Sequence, residues 1–138
     1  PASRDVVPWP ADRLADSNDV ADHLRGGGTV IARRAAERYR GETEPIDAVA
    51  GHVPGAINRP FGENLDAAGA FLPRDQLAER FADIVDPDPI VYCGSGVTAC
   101  HNALAMEVAR GTTPRVYIGS WSGWSTEDGR VIVVGDES

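Results

Sequence analysis

The sequence predicts an α/β protein built on a buried parallel sheet. Short, continuous apolar runs such as "PIVY" and "RVYI" alternate with segments of helical pattern, as expected for strands covered on both faces. Gly and Pro clusters punctuate the alternation, and no heptad pattern, internal repeat or low-complexity tract interrupts it.

Taken in order, "PASRDVVPWP" (residues 1–10) reads as a linker or extended edge segment. Ser17 to Arg25 is a helix, capped by Ser17 or Asn18, acidic in its first turn and stopped by Gly26 to Gly28. Thr29 to Ala32 is a short β-branched strand, and Ala35 to Arg40 a brief helix or turn broken by Gly41. The Gly- and Pro-rich stretch Gly51 to Phe61 is a loop with at most a brief strand at Ala56 to Asn58. Pro73 to Ile84 is the clearest helix, with Pro at its first position and Leu77, Phe81 and Ile84 on one face. Pro89 to Tyr92 is a strand, Thr98 to Arg110 a helix ended by Gly111, and Arg115 to Ile118 the next strand. "SWSGWS" is a turn or short helix, Val131 to Val134 a last strand, and "GDES" a solvated terminus.

At 138 residues the chain suits one domain. A formal net charge of −8 excludes nucleic acid or an anionic membrane surface as main partner. No apolar stretch approaches the ~20 residues that span a bilayer, and nothing resembles a signal peptide, so a cytoplasmic location is expected. Cys93 and Cys100 then read as free thiols. The scattered His23, His52 and His101 offer no zinc spacing, so neither metal nor cofactor is expected. All thirteen basic residues are Arg, which removes lysine chemistry altogether.

The chemical signal is "YCGSGVT" (Tyr92 to Thr98), where a thiol follows a strand and precedes a helix. A nucleotide-binding loop would need a lysine, and a serine-hydrolase elbow would need different spacing. A thiol phosphatase would place an arginine where Ala99 stands. What remains is a nucleophile: Cys93 as a thiolate favoured by a helix N-terminus, with a buried, inert cysteine as the plainer reading. Gly94 and Gly96 would let the backbone curl around the sulfur, and Ser95 and Thr98 could add hydroxyl donors. Cys100 reads as a packed core thiol. His52 reads as a structural hydrogen-bonding residue, His101 as a packing or solvent-facing one, and Trp121 and Trp124 as cover for the sheet end.

"ERYRGETEPIDAVAGHVPGAIN", "YCGSGVTACHNALA" and "YIGSWSGWS", in this order, resemble the catalytic, C-terminal domain of two-domain rhodanese sulfurtransferases. The resemblance, over about residues 17 to 130, implies a five-stranded parallel sheet flanked by helices. It also implies transfer of sulfane sulfur through a Cys93 persulfide, and a chain that is one half of a longer protein with an N-terminal rhodanese domain. The uncharged loop, Gly94, Ser95, Gly96, Val97 and Thr98, resembles the 3-mercaptopyruvate type, whereas thiosulfate-using members often carry cations there. Arg38 aligns with a substrate-binding arginine. Ile46 stands where a second arginine often falls, and Ala32 where the family usually has Asp. The implied enzyme takes sulfur from 3-mercaptopyruvate, or alternatively thiosulfate, and gives it to cyanide or a thiol. A persulfide carrier or protein-interaction module of low turnover is the alternative of another class.

Overall fold

The computed structural model describes residues 8–136; most of the expected opening linker and the last two tail residues lie outside them. Five short strands form one parallel sheet: β1 (Leu14–Ala15), β2 (Val30–Ala32), β3 (Ile57–Asn58), β4 (Ile90–Tyr92) and β5 (Arg115–Tyr117), in the order β1-β5-β4-β2-β3. Five helices connect and cover it: α1 (Ser17–Arg25), α2 (Ala36–Tyr39), α3 (Arg74–Arg80), α4 (Ala99–Arg110) and α5 (Ser120–Thr126). Short 3₁₀ turns lie at Ala11–Arg13 and Phe61–Asn64.

Period-two geometry explains the apolar runs. Val30, Ala32, Ile90 and Tyr92 point to one face and pack with Val20, Val53, Tyr117, Trp121 and Trp124. Ile31, Val91 and Cys93 point to the other and pack with Leu77, Phe81, Ile84, Ala103 and Met106. Both faces are therefore buried, and the central strands carry no polar side chain to alternate with. Leu77, Phe81 and Ile84 share a face as expected, although regular α-helix ends at Arg80 and Pro73 is its N-cap.

Three local expectations are corrected. Asp16, not Ser17 or Asn18, caps α1: its carboxylate accepts from the N–H groups of Asn18 and Asp19, while Asp19 accepts from that of Asp16. This capping box works because Asp16 is extended and Asp19 stands three residues on. Val131 to Val134 is not a strand. Only Val133 pairs, exchanging two backbone hydrogen bonds with His52 in an isolated antiparallel bridge, while Val131 and Val134 stay exposed. The fifth strand is instead Leu14–Ala15, an edge piece of two residues too short to leave an apolar run in the polar "ADRLADS".

The amino-terminal end of the sheet is tied by Asp86. Its carboxylate accepts from the N–H groups of Thr29 at 2.6 Å and Asp88 at 2.9 Å and meets His23 Nε2 at 2.8 Å. Burial works to raise its pKa, but these hydrogen bonds outweigh burial and hold it below the ordinary value. Among the described residues no helix is long and apolar enough to cross a membrane.

Asp86→Ala is expected to cost about 1–3 kcal/mol by orphaning the Thr29 amide, measured by urea unfolding. A depressed pKa stabilises the fold above the unfolded carboxyl's value of 3.8 and loses that contribution as pH falls through the lower folded value. The gap between wild type and variant should therefore be full at neutral pH and shrink below about pH 3.8.

Candidate active site

At the carboxyl end of the sheet, the central strand β4 runs directly into Cys93, and the loop 94–98 leads to α4. Cys93 is fully buried, its sulfur turned back under the loop. The Gly96 N–H donates to Sγ at 3.1 Å. Burial alone would raise the thiol's pKa. The Thr98 hydroxyl, the Gly96 N–H, the Ser120 hydroxyl and the Ser95 N–H together outweigh it and hold the thiol below its ordinary value. Thr98 occupies the N-cap of α4 yet caps no backbone N–H; its hydroxyl serves the sulfur instead.

The tight curl has a steric cause at Gly96. Its φ is +90°, and a Cβ there would stand 2.4 Å from the Ile118 carbonyl oxygen, so any other residue would be strained and in collision with backbone. Gly94 is less constrained: a Cβ would lie 3.7 Å from the Arg38 guanidinium and 4.0 Å from that of Arg34, at ordinary contact distance. The loop is held from behind by α5, where the N–H groups of Trp121 and Ser122 donate to the carbonyls of Cys93 and Gly94 at 3.1 and 3.0 Å.

Ser120 is the residue the sequence reading did not single out. It is fully buried, with a left-handed φ of 50° unusual for a side-chain-bearing residue. Its hydroxyl accepts from the Cys93 N–H at 3.1 Å, donates to the Tyr117 carbonyl at 2.9 Å and lies 3.9 Å from Sγ. One proton cannot serve both acceptors, so it can turn toward the sulfur when the sulfur is anionic. A serine straight after "YIG" was the available signal.

Over the loop lies a cavity of about 680 Å³ whose wall includes Arg33, Arg34, Arg38, Phe61, Gly94, Ser95 and Thr98. Cys93 is fully buried and does not itself form part of the cavity wall. Arg38 is not a solvated helix charge: it lines the cavity and pairs with Glu44, with Asp47 at 3.5 Å. Val97 points away, 76% exposed, and contributes to the loop through its backbone. Ile46 is exposed and lines the cavity mouth. Ala32 is fully buried in the apolar layer beside Tyr92.

Arg34 and Glu44 were also not anticipated. Arg34 is 3% exposed, and its charge is met by Glu44, which also receives Arg38 and the N–H groups of Ile46 and Asp47. Burial pushes the Glu44 carboxyl up, but Arg38, the two amides and Arg34 pull it below its usual range. Arg34 precedes the N-cap of α2 while Arg38 lies within that helix, so helical spacing in "RRAAER" did not pair them.

Other expectations fall out as follows. His52 is buried, stacked on Tyr39 with ring centroids 3.7 Å apart, and its Nδ1 meets the Tyr39 carbonyl at 2.8 Å, so its role is structural. His101 packs among Phe61, Phe71 and Asn64. Trp121 and Trp124 are buried cover, as expected. Cys100 is exposed rather than packed, because Ala99, Ala103 and Met106 set the buried face of α4 and turn position 100 outward. Cys93 and Cys100 are both free thiols. Among the described residues no group of three or more His, Cys, Asp or Glu could hold a metal ion.

Ser120→Ala is expected to raise the Cys93 pKa, because the variant removes a donor to the thiolate. The midpoint of the pH profile for alkylation by iodoacetamide should move upward and the rate at neutral pH fall severalfold. An unmoved midpoint would deny Ser120 any hold on the sulfur.

The rhodanese-like domain model matches residues 16–127. A protein of Pseudomonas aeruginosa named "Probable 3-mercaptopyruvate sulfurtransferase" is 48% identical over 131 residues, covering 91% of this chain and 46% of that protein. The "Thiosulfate/3-mercaptopyruvate sulfurtransferase 1, mitochondrial" of Arabidopsis thaliana is 36% identical over 102 residues, 70% of this chain and 27% of the relative. The crystal structure of the Tum1 protein from Saccharomyces cerevisiae superposes with a TM-score of 0.76 at 25% identity, over 92% of this chain and 48% of that one. The chain thus spans about half the length, or less, of these relatives. With the sheet order, the strand–cysteine–loop–helix junction and this match over most of its length, the chain belongs to the rhodanese-like domain family.

Proposed function

We propose that this domain is a sulfurtransferase that carries sulfane sulfur on Cys93, with 3-mercaptopyruvate as donor. The observation that carries the reading is a buried sulfur whose anion is held by two amides and two hydroxyls beneath an arginine-lined cavity. Such a cradle stabilises a thiolate before attack and a persulfide after it. The Cys93 thiolate attacks the sulfur of the donor, a sulfur–sulfur bond forms, and the carbon–sulfur bond breaks. Its electron pair stays on carbon as an enolate, which takes the thiol proton and leaves as pyruvate. An acceptor, cyanide or a small or protein thiol, then removes the outer sulfur and restores the thiolate. Every step is a two-electron displacement at sulfur, so the chemistry needs no cofactor.

Arg38 is the group for the donor's carboxylate. It reaches the cavity from α2 while Glu44 and Asp47 hold its other edge, which leaves a fixed guanidinium able to bind a planar carboxylate through two hydrogen bonds. The relatives named for 3-mercaptopyruvate support the donor, and their greater length is consistent with an N-terminal rhodanese domain beside this one. Two unbridged cysteines suit a reducing compartment, in keeping with the cytoplasm.

Cys93→Ser should abolish persulfide formation, read as the loss of the added mass of one sulfur after incubation with donor. Retained transfer would sink the mechanism. Arg38→Ala should raise KM for 3-mercaptopyruvate by about 10- to 100-fold, the loss of one charge-assisted pair. Stable persulfide with negligible turnover in the wild type would favour the carrier module instead.

A further inference from the structure

The three guanidinium groups of the cavity are not equivalent. Arg34 and Arg38 share Glu44, and Arg38 has Asp47 as well, so two positive charges are offset by two carboxylates. Arg33 has no carboxylate partner among the described residues. It lines the same cavity, its guanidinium lies 3.5 Å from the centre of the Phe61 ring, and its buried Nε has no hydrogen-bond partner. The remaining cavity-wall carboxylates do not cancel it: Glu63 is held by Arg80, and Glu37 is exposed, where water screens it. Arg34, though its charge is met, also keeps Nε and Nη1 buried and unpartnered. Burial lowers the Arg33 pKa, and the negative charge of Cys93 works against that shift.

A guanidinium in a cavity wall that is partly buried and has no carboxylate partner costs free energy unless an anion meets its charge. The ring of Phe61 holds the group in place but accepts no strong hydrogen bond. An anion in the cavity would. A monoanionic keto acid is matched by Arg38 alone, one carboxylate to one guanidinium. A dianionic donor brings a second charge, and the loop 94–98 has no cation to meet it.

We propose that Arg33 is a specificity-determining residue that lets this site also take dianionic donors of the thiosulfate class, by binding the anionic group that departs. The inference rests on sulfur transfer through Cys93. With such a donor the Cys93 thiolate attacks the outer sulfur and a new sulfur–sulfur bond forms. The donor's own sulfur–sulfur bond breaks, and its electron pair leaves on sulfite; no proton moves and the total charge is conserved. During attack the thiolate, the transferring sulfur and the sulfonyl oxygens crowd three negative charges together. An unpaired, partly desolvated guanidinium stabilises that crowding far more than a water-exposed one would. Arg33 therefore supplies, from the end of β2, the positive charge that the loop beyond β4 lacks.

The test compares kcat/KM for thiosulfate and for 3-mercaptopyruvate in the intact protein and in Arg33→Met and Arg33→Lys. Loss of the charge should lower the thiosulfate value by about tenfold or more and the 3-mercaptopyruvate value by only about threefold; the lysine variant should recover most of the difference. Arg33→Gln serves the same comparison should the apolar variant fail to fold. Equal losses for both donors, or an unchanged thiosulfate rate, would overturn the role of Arg33 while leaving Cys93 transfer intact. A wild type that forms persulfide from neither donor would overturn the sulfur-transfer reading and this inference with it.

Discussion

A sulfur anion at the end of a central, doubly covered strand is cut off from water, and the protein must solvate it instead. That constraint organises the upper half of the molecule. Cys93 is buried because β4 is buried, and the sulfur can ionise there only if donors are turned toward it. The loop 94–98 does this by curling so tightly that its amides converge, a path open only with glycine at 96, where the Ile118 carbonyl leaves no room for a Cβ. From below, α5 completes the arrangement: its first residue accepts the Cys93 N–H, and its next two amides take the carbonyls of Cys93 and Gly94.

The second constraint is charge. Three arginines crowd one cavity wall, and like charges this close repel strongly in a partly desolvated setting. Glu44 resolves most of that repulsion by bridging Arg34 and Arg38, and two backbone amides lower its own pKa further. Arg38 is thereby presented with one edge fixed. Removing Glu44 would leave buried positive charge without compensation, which is why this ion pair reads as a positioning device rather than as a source of stability. Arg33 sits outside the bridge, and its isolation is the feature that sets this cavity apart from a neutral loop considered alone.

Much of the fold was legible because its strands are hydrophobic on both faces and its helices carry ordinary start and stop signals. Thr29 to Ala32, Pro89 to Tyr92 and Arg115 to Ile118 each marked a strand to within a residue. Leu14–Ala15 escaped because a two-residue edge strand leaves no pattern, and Val131 to Val134 misled because an apolar run that pairs only through the single bridge at Val133 is a strap, not a strand. Cys100 shows a similar limit: the small, apolar helix 99–110 offers several possible buried faces, and only packing against the sheet and α3 selects among them.

By itself the sequence determined the layered α/β architecture, the placing of Cys93 at a strand–loop–helix junction and the absence of cationic side chains in that loop. These are local properties, carried by apolar periodicity, by glycine and by spacing over a few residues. Tertiary structure alone decided which side chains surround the sulfur. Ser120 lies 27 positions from Cys93, yet parallel strands β4 and β5 end side by side and bring the two together. Arg33, Arg34 and Glu44 are likewise placed by the neighbouring strand β2 and the loop that follows α2. A loop that reads as neutral thus faces arginines brought from elsewhere in the chain, because electrostatic fields depend on distance through space and not along the chain.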